Sequence, residues 1–382
     1  MVTNDIIYIG VNDHDIDLFE GQYDVPNGIS YNSYVILDEK IAIMDTVDKR
    51  KADDFMVNLA KALNGRKPDY LVVQHMEPDH ASSIQKVVEA YPEVQIVTSA
   101  GAKNMMPLYF NLDVSKALIV KEGDELNLGK HVLTFVAAPM VHWPEVIMTY
   151  DKTDKVLFSA DGFGKFGALD CDEDWDCEAR RYYFNIVGKF GAQVQAVLKK
   201  AAGLDIQVIC PLHGPILKET IGHVLEKYII WSSYGVETEG VFIAFASMHG
   251  NTAQAAHKLA EILEAKGCPK VQISDLARED PAEALEDAFR YGKVVLAAPT
   301  YNMGVAPCMG DFLHHLAIKN YQKRTIAFVE NGSWAPAAAK TMKEALAGLK
   351  EITFIDPVVT LRGAVKEKDI AALENLADKL LA

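Results

Sequence analysis

From residue 241 onward the chain keeps one rhythm, a short apolar run followed by a helical segment. Val241 to Ala246 precedes a helical stretch from Thr252 to Lys266, and the runs Val271 to Ile273, Val294 to Ala297 and Thr325 to Val329 are each followed by another. Apolar strands that alternate regularly with helices are the pattern of a parallel sheet with helices on both faces. The pattern therefore predicts a doubly wound parallel sheet, closed by a helix from about Glu367 to Ala382 with Ile370, Leu373, Leu376 and Leu380 near helical spacing. Before residue 240 the rhythm is different. Ile41 to Met44, Tyr70 to Val73, Val94 to Thr98, Val132 to Ala137, Val156 to Phe158 and Ile206 to Ile209 read as strands with fewer helices between them. A chain of 382 residues exceeds what one core usually serves. Two domains are expected, 1–238 and 239–382, divided where Trp231 to Gly240 interrupts a helical stretch with small, polar and acidic residues.

Charge narrows the function classes. A formal net charge of -15 repels phosphate backbones and anionic lipid, so no nucleic acid and no membrane surface is expected as partner. No apolar run reaches the roughly 18 residues needed to span a bilayer, and the N-terminal residues carry no secretory pattern, so the expected compartment is the cytoplasm. The five cysteines, Cys171, Cys177, Cys210, Cys268 and Cys308, form no C-x-x-C pair. They read as reduced thiols, with no iron–sulfur cluster and no appended rubredoxin-like module.

Directly after the run ending at Val73 come His75, Glu77, Asp79 and His80, metal-ligating side chains crowded into six residues. Alternating residues at a strand end point to one side, so His75 and Glu77 can share a pocket while the adjacent pair Asp79 and His80 turns toward a second metal. His142, Asp161 and His213 also follow apolar runs and complete the candidate set. A lone histidine in such a place is usually a packing residue; the company of the others reverses that expectation. His14, His131, His223, His257, His314 and His315 lack such company and are read as structural or surface residues. Asp45 and Asp48 are read as turn residues.

These seven positions resemble the metallo-β-lactamase-like domain of flavodiiron proteins, whose pattern runs H-x-E-x-D-H and then H, D and H at long spacing. Hydrolytic zinc members of that superfamily usually carry a second histidine where this chain has Glu77, and oxygen-rich ligation suits iron better than zinc. The resemblance implies an αββα sandwich with one iron on His75, Glu77 and His142, the other on Asp79, His80 and His213, and Asp161 bridging.

The second domain offers a phosphate cradle. Ser247, Met248, His249, Gly250, Asn251 and Thr252 link a strand to a helix N-terminus, where hydroxyl, amide and backbone donors meet the helix dipole. The loop is neither a Walker P-loop nor a dinucleotide fingerprint. It resembles the flavodoxin loop for FMN phosphate. Pro299, Thr300, Tyr301, Asn302, Met303 and Gly304, and then Asn331, Gly332, Ser333 and Trp334, fall at the carboxyl ends of later strands, where open sheets bind ligands. By the same resemblance they enclose the flavin ring, with Trp334 and Tyr301 as stacking candidates.

Together these motifs are identified as those of the flavodiiron family, spanning about residues 5 to 380. The resemblance implies an oxidoreductase in which FMN feeds a non-haem di-iron centre that reduces dioxygen to water, nitric oxide to nitrous oxide, or both. It also implies rubredoxin or a similar separate donor and a head-to-tail homodimer, with further pairing into a tetramer left open. The rival readings are a two-zinc hydrolase with an accessory flavodoxin-like domain and a plain flavodoxin-type carrier. The acidic run Asp170, Asp172, Glu173, Asp174, Asp176 and Glu178 is read as solvated loop, with an edge of the substrate entrance as the alternative.

Overall fold

The computed structural model describes residues 2–382, which separate into two compact units. The first runs to Tyr183 and resumes over Phe190–Ile229; the second takes Phe184–Lys189 and Ile230–Ala382. The division at 238 read from the sequence would leave 184–189 and the end of the helix Ile221–Ser232 in the first domain. Contacts within the second unit explain their membership there. Phe184 stacks on Phe289 at 4.3 Å, the Tyr234 hydroxyl donates to the Gly188 carbonyl, and the Asn185 amide donates to the Ala282 carbonyl.

Two sheets build the first unit. One has six strands in the spatial order Ile6–Tyr8, Tyr34–Ile36, Ala42–Met44, Tyr70–Val73, Gln95–Thr98 and Leu118–Ile119, parallel from Ala42–Met44 onward. The other has five, Glu125–Asn127, Val132–Ala137, Ile147–Asp151, Val156–Phe158 and Val208–Cys210. Their core faces meet as one apolar layer in which Ile6, Ile36, Met44, Val72 and Val97 join Leu133, Phe135, Ile147, Phe158 and Cys210. Helices complete the sandwich. In Ala52–Leu63 the buried residues Phe55, Leu59 and Leu63 recur at i, i+4 and i+8, and Asn64 ends the helix in the left-handed region at φ 47°. Each such side chain withdrawn from water contributes about 1.5–3 kcal/mol.

The second unit is the predicted doubly wound sheet. Its strands lie in the order Val271–Asp275, Thr238–Phe245, Tyr291–Tyr301, Arg324–Asn331, with Ile352–Phe354 and Val359–Leu361 both on the far side of Arg324–Asn331, all parallel. The closing helix is Glu367–Leu381, and it packs Leu373, Leu376 and Leu380 into the same core as Ile243, Val295 and Val329. That order reverses direction beside Thr238–Phe245, so the carboxyl ends of this strand and of Tyr291–Tyr301 open a crevice. Among the described residues no helix is long and apolar enough to cross a membrane.

Candidate metal and flavin sites

The ligand loop begins where Tyr70–Val73 ends, and neighbours hold it at several points. Asp45 accepts the Gln74 backbone N–H at 2.7 Å and its side-chain amide at 2.8 Å. Thr46 donates from both its backbone N–H and its hydroxyl to the His80 carbonyl. Residues 75–77 are outside any helix, and Glu77 is extended with φ -61° and ψ 138°, so His75 and Glu77 project to one side. Pro78 then starts a single helical turn, Pro78–Ala81, which swings Asp79 and His80 away from them. Asp45, read from the sequence as a turn residue, therefore also serves as a buried clamp; burial, opposed by its Gln74 hydrogen bonds, pushes its pKa up to about 6.

The other candidate ligands come from the second sheet. His142 follows Val132–Ala137, Asp161 follows Val156–Phe158 after Ala160 in the left-handed region at φ 48°, and His213 follows Val208–Cys210. Asn32 fixes that last loop by donating to the carbonyls of Pro211 at 2.9 Å and Gly214 at 2.8 Å. All seven side chains meet at one end of the sandwich in two groups, His75, Glu77, His142 and Asp161 in one, Asp79, His80 and His213 in the other. Asp161 lies between the groups. Its Oδ2 is 3.0 Å from His75 Nε2 and 3.3 Å from His142 Nε2, while its Oδ1 is 3.2 Å from His80 Nε2.

The donor chemistry fits a pair of cations. Both oxygens of Asp161 and of Asp79 are buried and make no well-aligned hydrogen bond among the described residues; their near neighbours are histidine Nε2 atoms, themselves metal-ligating, so the lone pairs of both sets converge where a metal would sit. The Nε2 atoms of His80 and His213 face each other at 3.1 Å, so both rings aim at a common region. Burial opposes charge on His142, yet Asp161 and Glu77 push its pKa up to about 9; burial also opposes ionisation of Asp161, and His75 and His80 hold it well below the usual carboxylate range. The field in this pocket calls for positive charge. Phe19, Tyr31 and Tyr182 pack around the His213 ring at centroid distances of 5.3, 6.0 and 5.5 Å and keep water from that side.

Behind the ligands stand residues that the sequence pattern did not reveal. Glu145 Oε1 accepts the His75 Nδ1–H at 2.9 Å and the Met76 backbone N–H at 2.9 Å. The Ser30 carbonyl accepts the His213 Nδ1–H at 2.7 Å. Of the histidines set aside earlier, His131 is buried against Asp151 and Asp5, and His14 and His223 pair with Asp170 and Asp176. The acidic run is paired as well as solvated. Glu173 accepts from Lys165 and Asn27, Asp174 caps the helix Trp175–Tyr182, and Asp176 also meets Lys227.

In the second unit, a cavity of about 450 Å³ opens at the carboxyl ends of the strands, within the usual range for cofactor sites. Of the predicted flavin residues, Ser247, Met248, His249, Asn251, Thr252, Pro299, Thr300, Asn302, Met303, Asn331, Gly332, Ser333 and Trp334 line it. Gly250, Tyr301 and Gly304 do not, and Gly363 joins. Gly250 has φ +83° at the N-cap of Asn251–Ala265, a conformation that suits glycine. The buried Ser247 hydroxyl has no partner among the described residues, as a phosphate donor requires. Two predicted contacts carry structural duties. Thr300 Oγ1 accepts the backbone N–H groups of Ala337 and Ala338 at 2.9 and 3.2 Å, and Asn331 clamps Gly363 through its N–H and its carbonyl, each at 2.9 Å. Trp334 stands 78% exposed at the rim, open to a planar ring.

A sandwich with two clustered groups of metal ligands, joined to a parallel sheet with a flavin-sized cleft, defines a class of metal- and flavin-dependent oxidoreductase. Residues 29–214 match the family model of ODP family beta lactamases, and residues 242–376 match a flavodoxin domain. The anaerobic nitric oxide reductase flavorubredoxin of Klebsiella pneumoniae is 30% identical over 91% of this chain and 74% of that protein. The rubredoxin oxygen:oxidoreductase of Desulfovibrio gigas superposes with a TM-score of 0.93 at 26% identity, covering 100% of this chain and 97% of that one. The flavodiiron protein of Giardia intestinalis does so with a TM-score of 0.90 at 25% identity, covering 99% and 94%. The chain belongs to the flavodiiron protein family. It is an oxidoreductase whose cofactors are FMN and a non-haem di-iron centre.

Proposed function

We propose that this chain reduces nitric oxide to nitrous oxide and dioxygen to water, with His75, Glu77 and His142 holding one iron, Asp79, His80 and His213 the other, and Asp161 bridging. The observation that carries the reading is the division of seven side chains, His75, His80, His142, Asp161 and His213 buried and Glu77 and Asp79 partly so, into two groups with Asp161 between them. Held by these residues, two irons would supply redox chemistry and a paired binding position for a diatomic substrate, and FMN in the second unit would supply electrons. The chain's own residues set the conditions. Asp161 draws two cations together; Glu77, Asp79 and Asp161 offset their charge; Glu145 and the Ser30 carbonyl hold His75 and His213 with Nε2 turned inward. The aromatic wall of Phe19, Tyr31 and Tyr182 limits water at the reacting position. Ser247, Asn251 and Thr252 hold the FMN phosphate, and Met303 and Trp334 border its ring. Rubredoxin or a similar small protein delivers electrons, and the working form is a homodimer in the cytoplasm. The names of the similar proteins support both substrates and this donor.

The test is metal and flavin analysis of anaerobically purified protein, followed by stopped-flow reoxidation of the reduced enzyme with each gas. Two irons and one FMN per chain with rapid flavin reoxidation is the expected result. Zinc without flavin would return the reading to a hydrolase, and fast reaction with one gas alone would narrow the substrate.

A further inference from the structure

Seen from their outward nitrogens, the metal-facing histidines are not equivalent. His75 Nδ1 donates to the Glu145 carboxylate, which is 5% exposed and also accepts the Met76 backbone N–H. His213 Nδ1 donates to a neutral carbonyl, that of Ser30, and His80 Nδ1 is buried with no partner among the described residues. A carboxylate behind an imidazole makes it a stronger donor and adds negative charge next to the cation it holds; a carbonyl does less, and an unpartnered nitrogen does nothing. Each group has one carboxylate of its own, Glu77 or Asp79, and Asp161 serves both. Glu20 stands beside Glu77 and Asp45 interacts with both His80 and His75, but Glu145 is the carboxylate that meets an outward imidazole nitrogen, and that contact is what sets the two positions apart.

Resting on the di-metal reading above, we propose that the two metal positions differ in affinity, that the group of His75, Glu77 and His142 fills first, and that Glu145 is the positioning residue that sets this order. Glu145 touches no reacting atom. It holds the His75 ring in the Nδ1–H form and fixes the Met76 backbone beside it, and its other oxygen, Oε2, is buried without a partner. Its negative charge therefore acts on His75 without competition from a second cation in contact.

The experiment is a titration of the full-length metal-free protein with cobalt(II), followed by visible absorption and checked by equilibrium dialysis. Wild type is expected to show a tight and a weak class of one ion each. His213→Ala should keep the tight class and lose the weak one. Glu145→Gln retains an oxygen acceptor for both N–H groups but removes the charge, so the tight class should weaken about 10–100-fold and merge with the weak one. Glu145→Asp, which keeps the charge, should recover part of the difference. Circular dichroism of each metal-free variant establishes that it is folded; if Glu145→Gln is not, wild type and His213→Ala still decide the filling order. Two cobalt ions of equal affinity, loss of the tight class in His213→Ala, or an unchanged tight class in folded Glu145→Gln would each overturn the inference and leave the di-metal reading standing. Absence of cobalt binding would end both.

Discussion

Asp161 presents Oδ2 to His75 and His142 and Oδ1 to His80, and no other side chain in the site reaches both groups so evenly. Its replacement by Asn keeps the shape and removes the shared charge. Asp161→Asn is therefore expected to purify with fewer than one iron per chain while FMN content, measured on the same sample, stays at the wild-type level. His131 makes a different residue-scale prediction. It lies fully buried with Nδ1 2.9 Å from Asp151 and Nε2 3.4 Å from Asp5. Burial opposes its charge, but the Asp151 and Asp5 contacts win and raise its pKa above the ordinary value near 6.5. A raised histidine pKa stabilises the fold fully below the unfolded value, and that contribution fades as pH rises through the folded value. His131→Asn should thus cost most stability near pH 6, about 1.5–3 kcal/mol, read from unfolding curves at a series of pH values. The gap from wild type should narrow as pH rises above 7; a constant gap across that range would show that charge is not its basis.

Among the elements, the end of the strand Tyr291–Tyr301 is tied by the Thr300 hydroxyl to the start of the helix that follows the loop of Asn331 to Trp334. Thr300 Oγ1 caps the two N–H groups that open the helix Ala338–Leu346. Thr300→Val leaves those donors without their acceptor, which costs about 1–3 kcal/mol locally. FMN fluorescence titration should show weaker binding, with iron content unchanged. The clustering of the seven candidate ligands was legible in the sequence because imidazoles and carboxylates directly after apolar strands have no packing reason to be there. The parallel sheet was legible because its apolar strands alternate regularly with helical segments. The strands Ile6–Tyr8 and Val11–Asp13 were not, since three residues are too few for alternation to show. Glu145, Asp45, Asn32 and Gly363 escaped for another reason. Each acts by completing a hydrogen bond of a residue far away in sequence, and no local pattern carries that information. The acidic run looked uniform as a sequence, whereas Glu173 turns inward to Lys165 and Asp174 caps a helix.

At the scale of the whole molecule, each unit has a core of its own, and each candidate cofactor site lies within one unit. A ligand that binds only the folded state stabilises it by mass action. In the full chain, then, calorimetry should show iron chelation moving one unfolding transition and FMN removal moving another; a single transition moved equally by both would contradict two independently stabilised units. The origin of the metal ligands has a further consequence. His75, Glu77, Asp79 and His80 follow a strand of one sheet, while His142, Asp161 and His213 follow strands of the other, and the two sheets share a close-packed interior. Side chains anchored on two rigid frames cannot drift far when the charge between them changes. A metal pair held there would gain and lose electrons with little movement of these side chains, so the packing that folds the sandwich would also keep the reorganisation energy of electron transfer small.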